Sequence, residues 1–224
     1  MISKFHLLIF VLLCSSCSIF KMNRTEEIKF KQWKNISTFK NFVSPWNDKP
    51  FGETTFQYQN DATWFYFLFK VIDNNIQLCD ISLNEAQNVL QSDRVELFFA
   101  KDSLMQPYYT FEMDAANRLF DARCFIIPEN KMQPKQINAN WQIDKNDLHF
   151  TAIQTKKGYQ VEGKIAMSFL QNEQLINNNQ IWCGMQRANF SATNSTQWIC
   201  AKDPKTNTPD FHCWGVFVRL LVRN

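Results

Sequence analysis

The chain has 224 residues, 15% of them aromatic, with 21 Phe and 7 Trp. That is enough for one domain with a sizeable core and little for two. Glycines number 5, the formal net charge is +3, and no basic run is longer than Lys156-Lys157; with neither GxGxxG nor a P-loop lysine motif, phosphate-cradling loops and nucleic-acid binding are set aside.

The first residues, "MISKFHLLIFVLLCSSC", place Lys4 ahead of an apolar run over residues 7–13 and then small residues ending in cysteine. This reads as an export signal too short for a bilayer anchor. "CSSC" resembles a bacterial lipoprotein cleavage box, with Cys17 as the lipidated residue behind Ser15 and Ser16; Cys14 stands where that box usually has leucine. The expectation is an exported membrane lipoprotein, periplasmic or on the cell surface: leader and box over residues 1–17, a tether and lead-in over 18–41 beginning near "KMNRTEE", and a domain over 42–224.

In the domain, "TTFQYQN" alternates as a short strand, Asp61 supplies a turn, and "TWFYFLFKVID" runs as a long strand apolar on both faces, as in the middle of a sandwich. "SLNEAQNVLQ" has apolar residues at helical spacing, with Ser82 as a cap and Glu85 three residues on. "RVELFFA", "YYTFEMDA" and "RLFDARCFII" then read as three antiparallel strands turning at "KDSLMQP" and "AAN". "LHFTAIQTK" and "GYQVEGKIAM" form a further pair, "SFLQNEQ" a helical turn, and "QIWCGMQRANF" and "WGVFVRLLV" the last strands. No repeat shows. About nine strands with one or two short helices predict an all-β fold, an antiparallel β-sandwich of jelly-roll or immunoglobulin-like layers.

Catalytic motifs are absent. Outside the leader the histidines are His149 and His212, neither beside a recognisable nucleophile, and no GxSxG occurs. Metal sites need clustered ligands, and Asp73, Asp80, Asp93 and Asp114 are scattered; a structural calcium stays open, since it accepts carboxylates and backbone oxygens drawn from loops. The five cysteines after the leader, Cys79, Cys124, Cys183, Cys200 and Cys213, contain no CxxC; an odd number leaves at least one free in a monomer, and Cys200 with Cys213 is the pair to test for a disulfide.

The polar residues of the central strands are the more informative. With Val95, Leu97 and Phe99 inward, Arg94, Glu96 and Phe98 face outward; with Phe111 and Met113 inward, Thr110, Glu112 and Asp114 share the outward face. From "GMQRANF", Gln186 or Arg187 joins them, depending on register. Planar bidentate groups at fixed positions suit sugar hydroxyls, which donate and accept, and indole rings suit the C–H face of a pyranose. Trp46, Trp141 and Trp198, in polar or turn-like contexts, are the stacking candidates; Trp64, Trp182 and Trp214 sit in apolar runs and read as core. The candidate ligand-binding set is Arg94, Glu96, Glu112, Gln186, Arg187 and Trp198. Glu96 with Glu112 also forms a carboxylate pair of the kind glycoside hydrolysis uses, but carboxylates facing arginine on a sheet usually form cross-strand ion pairs.

Taken in order, "PWNDKPFGETTFQYQNDATWFYFLFKVID", "SDRVELFFA", "YYTFEMDAANRLFD", "GYQVEGKIAMSFL", "RANF" and "DFHCWGVFVRL" resemble the carbohydrate-binding module family 9-like proteins from about Phe42 onward. The resemblance implies a β-sandwich that binds glucose- or xylose-based chains between two tryptophans, with acidic, amide and arginine contacts and structural calcium. Glu96 matches the family glutamate and Gln186 a polar contact. The tryptophan positions fall near Leu90 and near Thr208 or Pro209, and Glu112 stands where an arginine is expected. Members are often labelled endoxylanases, but a (β/α)₈ barrel needs about 250 residues, so no activity of that kind is expected.

The leading expectation is a lipoprotein that binds a β-linked plant-type glycan without turnover and feeds a glycan-uptake or degradation system. One rival is an adaptor that kept the sandwich and lost the sugar. The other is a haem module with His212 and Met113 or Met185 as axial ligands.

Overall fold

Along Trp64–Ile72 every second side chain, Phe65, Phe67, Phe69 and Val71, is buried to one side. Arg94–Ala100 answers with Val95, Leu97 and Phe99, and Phe65 meets Phe99 edge to face at 5.7 Å. These two rows are the facing sides of a sandwich. The computed structural model describes residues 32–81, 84–129, 135–190 and 195–223. Its strands are β1 Thr38–Phe39, β2 Thr54–Asn60, β3 Trp64–Ile72, β4 Arg94–Ala100, β5 Tyr108–Asp114, β6 Leu119–Ile126, β7 Lys135–Asn138, β8 Leu148–Thr155, β9 Gly158–Ala166, β10 Ile176–Asn177, β11 Gln180–Phe190, β12 Thr196–Cys200 and β13 Phe217–Leu221. The helices are α1 Glu85–Leu90 and α2 Met167–Asn172.

The back sheet runs β1-β2-β3-β9-β8 and the front sheet β10-β11-β4-β5-β6-β7, with β12 and β13 both pairing on β11; every pairing is antiparallel. The all-β sandwich read from the sequence is therefore the fold. Each fully buried Phe of the interlayer contributes about 1.5–3 kcal/mol, which explains how this sheet pair holds with so few helices. Gly163 makes room for one such ring: a Cβ there would lie 2.3 Å from Phe67 Cζ.

Several elements differ from the sequence reading. Ser82 lies outside the described residues, and the cap of α1 is Asn84, whose side chain accepts from Ala86 N. "WGVFVRLLV" opens as a 3-10 turn over Trp214–Val216 before β13. The sandwich also takes in part of the stretch assigned to the lead-in. β1 pairs with β2, Trp33 Nε1 donates to Glu162 at 2.5 Å, and Gln57 Nε2 donates to Ile36 O at 2.9 Å. The leader, Cys17 and the rest of the tether lie outside the described residues.

The outer face of the front sheet is not bare. Phe98, Tyr108, Phe120, Ala122 and Cys124 form a second core there, closed by Val89 of α1 and by Phe211, Val216 and Phe217. The segment 201–213 crosses this face as a cover. His212 packs on Phe98 at 5.2 Å with Nδ1 2.8 Å from the Tyr108 hydroxyl, and Trp46 Nε1 donates to Thr206 O at 2.9 Å.

Candidate functional site

Between that cover and the edge of the sheet lies a pocket of about 440 Å³, within the size range of small-ligand sites. Its floor is Arg94, Glu96 and Glu112; its walls include Leu90, Phe120, Ile137, Ala139, Trp198, Pro209 and Phe211; Lys135, Asp210 and His212 stand at its polar side. Two other hollows, of about 310 and 340 Å³, lie along the lead-in and hold no buried charged side chain.

Strand register builds the floor. Glu96 stands directly opposite Glu112 on β5 and Gln186 on β11. Like charges opposed on a sheet repel, and Arg94 answers both. Its Nε donates to Glu112 Oε2 at 2.6 Å, its Nη2 lies 3.0 Å from Glu96 Oε1, and its Nη1 donates to Leu90 O at 3.0 Å. The three side chains are at most 5% exposed. The contact of Arg94 with Glu96 is an ion pair without hydrogen-bond alignment, so Glu96 Oε1 is buried with no hydrogen-bond partner.

Two carboxylates sharing one guanidinium out of water hold a proton. Burial, helped by Glu112 and opposed by Arg94, pushes Glu96 up to about 8; burial also raises Glu112, against the pull of Arg94. Near neutral pH Glu96 thus presents a carboxylic acid beside the Glu112 carboxyl group and the Arg94 guanidinium: hydroxyl donor, acceptors and fixed cation together. His212 is neutral, pushed down to about 4 by burial, with Lys135 adding to the shift. Lys135 pairs with Asp210 at 2.5 Å.

Of the expected ligand set, Arg94, Glu96, Glu112 and Trp198 come together in this pocket. Trp198 lies under the Arg94 guanidinium at 5.7 Å and meets Phe211 edge-on at 5.5 Å. Gln186 shares the face but is wholly buried, its amide over Gly184 and both polar atoms unpartnered. Arg187 does not join them. It stands opposite Val95 and points into the interlayer, paired with Asp73 at 2.7 Å and donating to Asn189 Oδ1 at 2.7 Å and Gly52 O at 3.2 Å. The register choice left open by "GMQRANF" falls on Gln186.

Trp141 is also displaced from its expected place: it packs on Tyr109, Phe111 and Phe169 against the main core. Trp46 packs on Phe211 and helps hold the cover. Trp182 and Trp214 pack on each other at 4.7 Å beside the second core. Sequence reading missed Leu90, Phe120, Ile137, Pro209 and Phe211 as pocket walls. The departures it noted near Leu90 and Pro209 were the available signal.

The haem pairing fails on geometry. Met113 and Met185 are wholly buried between the sheets, whereas His212 lies on the other side of the front sheet against Phe98 and Tyr108. Cys200 and Cys213 are both free thiols, as are Cys79, Cys124 and Cys183.

The four scattered aspartates are each already engaged. Asp73 is paired with Arg187, and Asp93 accepts from Gln77 N at 2.8 Å and Phe190 N at 2.6 Å. Asp114 and Asp80 both meet the Arg118 guanidinium, which also donates to Cys79 O at 2.8 Å and Ser92 Oγ at 3.2 Å. A fixed cation already stands among those oxygens. No group of three His, Cys, Asp or Glu arranged for a metal occurs among the described residues.

Nothing among the curated proteins matches the chain. Solved structures do. A provisionally assigned carbohydrate-binding protein from Bacteroides uniformis ATCC 8492 aligns at TM-score 0.59 and 14% identity, over 84% of this chain and 87% of its own. A family 9 carbohydrate-binding module from Caldicellulosiruptor kristjanssonii in complex with glucose aligns at 0.56 and 17% identity, over 85% and 86%. The same organism's module in complex with cellotriose aligns at 0.56 and 18%, over 85% and 84%. At these identities the likeness is one of fold. The sequence itself matches the family described as carbohydrate family 9 binding domain-like over residues 27–220. With nearly the whole described sandwich inside that match, the chain belongs to the carbohydrate family 9 binding domain-like family.

Proposed function

We propose that the chain binds carbohydrate, without turning it over, in the pocket floored by Arg94, Glu96 and Glu112. The observation that carries this is Glu96: a buried acid lining a pocket, whose Oε1 lies 3.0 Å from the Arg94 guanidinium without an aligned hydrogen bond and so keeps acceptor capacity free. Buried polar atoms are nearly always satisfied, and a sugar hydroxyl, which donates and accepts, is suited to this one. The family is one of non-catalytic binding domains, and the solved modules carry glucose and cellotriose. Both carboxylates are turned onto one guanidinium, which leaves no acid and base flanking a scissile bond as hydrolysis needs.

The ligand we assign is a β-linked plant-type glycan, with xylan- and cellulose-derived oligosaccharides as the first candidates. The "CSSC" box supports lipidation at Cys17 and display on the bacterial membrane, where glycan-uptake or degradation proteins would be the partners. A glycan array probed with the full chain at pH 6 tests the binding. Hits that Glu96→Ala and Trp198→Ala each weaken about tenfold or more, as loss of a buried polar anchor or a ring does, support the site. Hits unchanged in both folded variants would move the site elsewhere. Silence from folded protein would favour the adaptor reading, which the lack of a tryptophan near Leu90 and near Thr208 or Pro209 suggests.

A further inference from the structure

Most of the open apolar surface in the pocket is not the aromatic kind that reads a sugar by stacking. A flat pyranose with a hydroxymethyl arm is gripped by aromatic faces, which supply broad contact to its axial C–H groups. Here Trp198 already carries Arg94 over its ring and Phe211 at its edge, and Phe211 is packed on Trp46 at 5.8 Å. Phe120 and Phe211 also line the pocket but are at most 7% exposed; the apolar side chains with the most open surface there are aliphatic, Leu90 at the end of α1, Ile137 on edge strand β7, and Pro209 in the cover. Leu90 and Ile137 keep 37% and 47% of their surface exposed, although each stands beside a fully polar floor.

Open aliphatic surface in the same pocket as a hydrogen-bonding floor matches a ligand with hydroxyls on one edge and a methyl group on another. A hydroxymethyl arm laid on the same surface finds no hydrogen-bond partner in those side chains and gives up part of its hydration, which is less favourable than a methyl group there. The floor adds no demand for a charged sugar, because Lys135 is already paired with Asp210 and Arg94 with Glu112.

We propose that the sugar residue entering this pocket is a 6-deoxyhexopyranose of fucose or rhamnose type, its methyl group against Leu90, Ile137 and Pro209 and its ring hydroxyls on Arg94, Glu96 and Glu112. This rests on the carbohydrate reading above and narrows it to the residue that the pocket holds, with the rest of the glycan outside.

Matched pairs that differ only at carbon 6 test it. The full chain is titrated by calorimetry with the methyl glycosides of L-fucose and L-galactose, of L-rhamnose and L-mannose, and of D-glucose and D-xylose. The deoxy member of at least one of the first two pairs should bind about tenfold or more tighter than its parent, the discrimination that an apolar contact of this size affords. Ile137→Ser, on an exposed edge strand where folding is undisturbed, should bring that ratio towards one. Parents that bind as well as their deoxy partners, or glucose or xylose binding best, would overturn the proposal and leave carbohydrate binding standing. No binding of any glycoside by folded protein would overturn both.

Discussion

Arg94 holds two carboxylates with one guanidinium, and the consequence is measurable without any ligand. Glu96 ionises near its ordinary 4.5 in the unfolded chain and near about 8 in the folded one. Between those values the folded state keeps a proton that the unfolded state has released. The stabilisation is therefore complete below pH 4.5 and is lost as pH rises towards 8. Asp93, raised to about 6 mainly by burial, adds in the same direction over a lower range. His212, held neutral down to about 4, works the other way and weakens the fold on the acid side. Glu96→Gln keeps the shape of the protonated acid and removes its titration. Thermal melts from pH 5 to 9 should show the wild type losing on the order of 1–2 kcal/mol relative to the variant, roughly 2–8 °C for a chain of this size. Parallel profiles would mean that Glu96 is ionised in the fold throughout.

Among the elements, the hairpin between β5 and β6 is fastened by Arg118, which reaches Asp114 Oδ2 at 2.7 Å, the carbonyl of Cys79 and the hydroxyl of Ser92. Removing its side chain takes the cation from the wholly buried Asp114, which keeps only the backbone N–H groups of residues 116 and 118 on Oδ1. Arg118→Ala should cost about 3 kcal/mol, or roughly 6–12 °C in Tm, while chelator leaves the wild-type Tm unchanged. A wild-type Tm that falls in chelator would put a metal back in this structure. Alternation made β2 to β6, β8, β9 and β11 readable in the sequence, and with them the shared face of Arg94, Glu96 and Glu112. β7 and β12 were not readable, because edge and short strands carry polar residues on both sides. Gln186 and Arg187 could not be separated, since adjacent polar residues fit either parity and only the pairing with β4 decides between them. Trp141 misled for a related reason: its neighbours Asn140 and Gln142 are polar, yet tertiary packing turns its ring against Tyr109.

At the scale of the whole molecule, one face of the front sheet is shared with the back sheet and the other is half roofed by residues 201–213. That segment has no periodicity to announce it, so the pocket it creates was invisible in the sequence although its floor was not. The lead-in docks on the opposite side of the sandwich, through Trp33 on Glu162. Trp33→Ala should therefore speed proteolysis near residues 32–39 and leave glycan affinity unchanged; a lost affinity would tie the two faces together. The most direct test of carbohydrate binding at the front pocket is the set of tryptophan indole N–H signals by NMR as xylo- and cello-oligosaccharides and 6-deoxyhexose glycosides are added to the full chain. The pocket predicts a saturable shift of Trp198, with Trp33 and Trp64 on the back sheet unmoved. A saturable shift confined to Trp33 and Trp64, or none at all with any of these sugars, would contradict it.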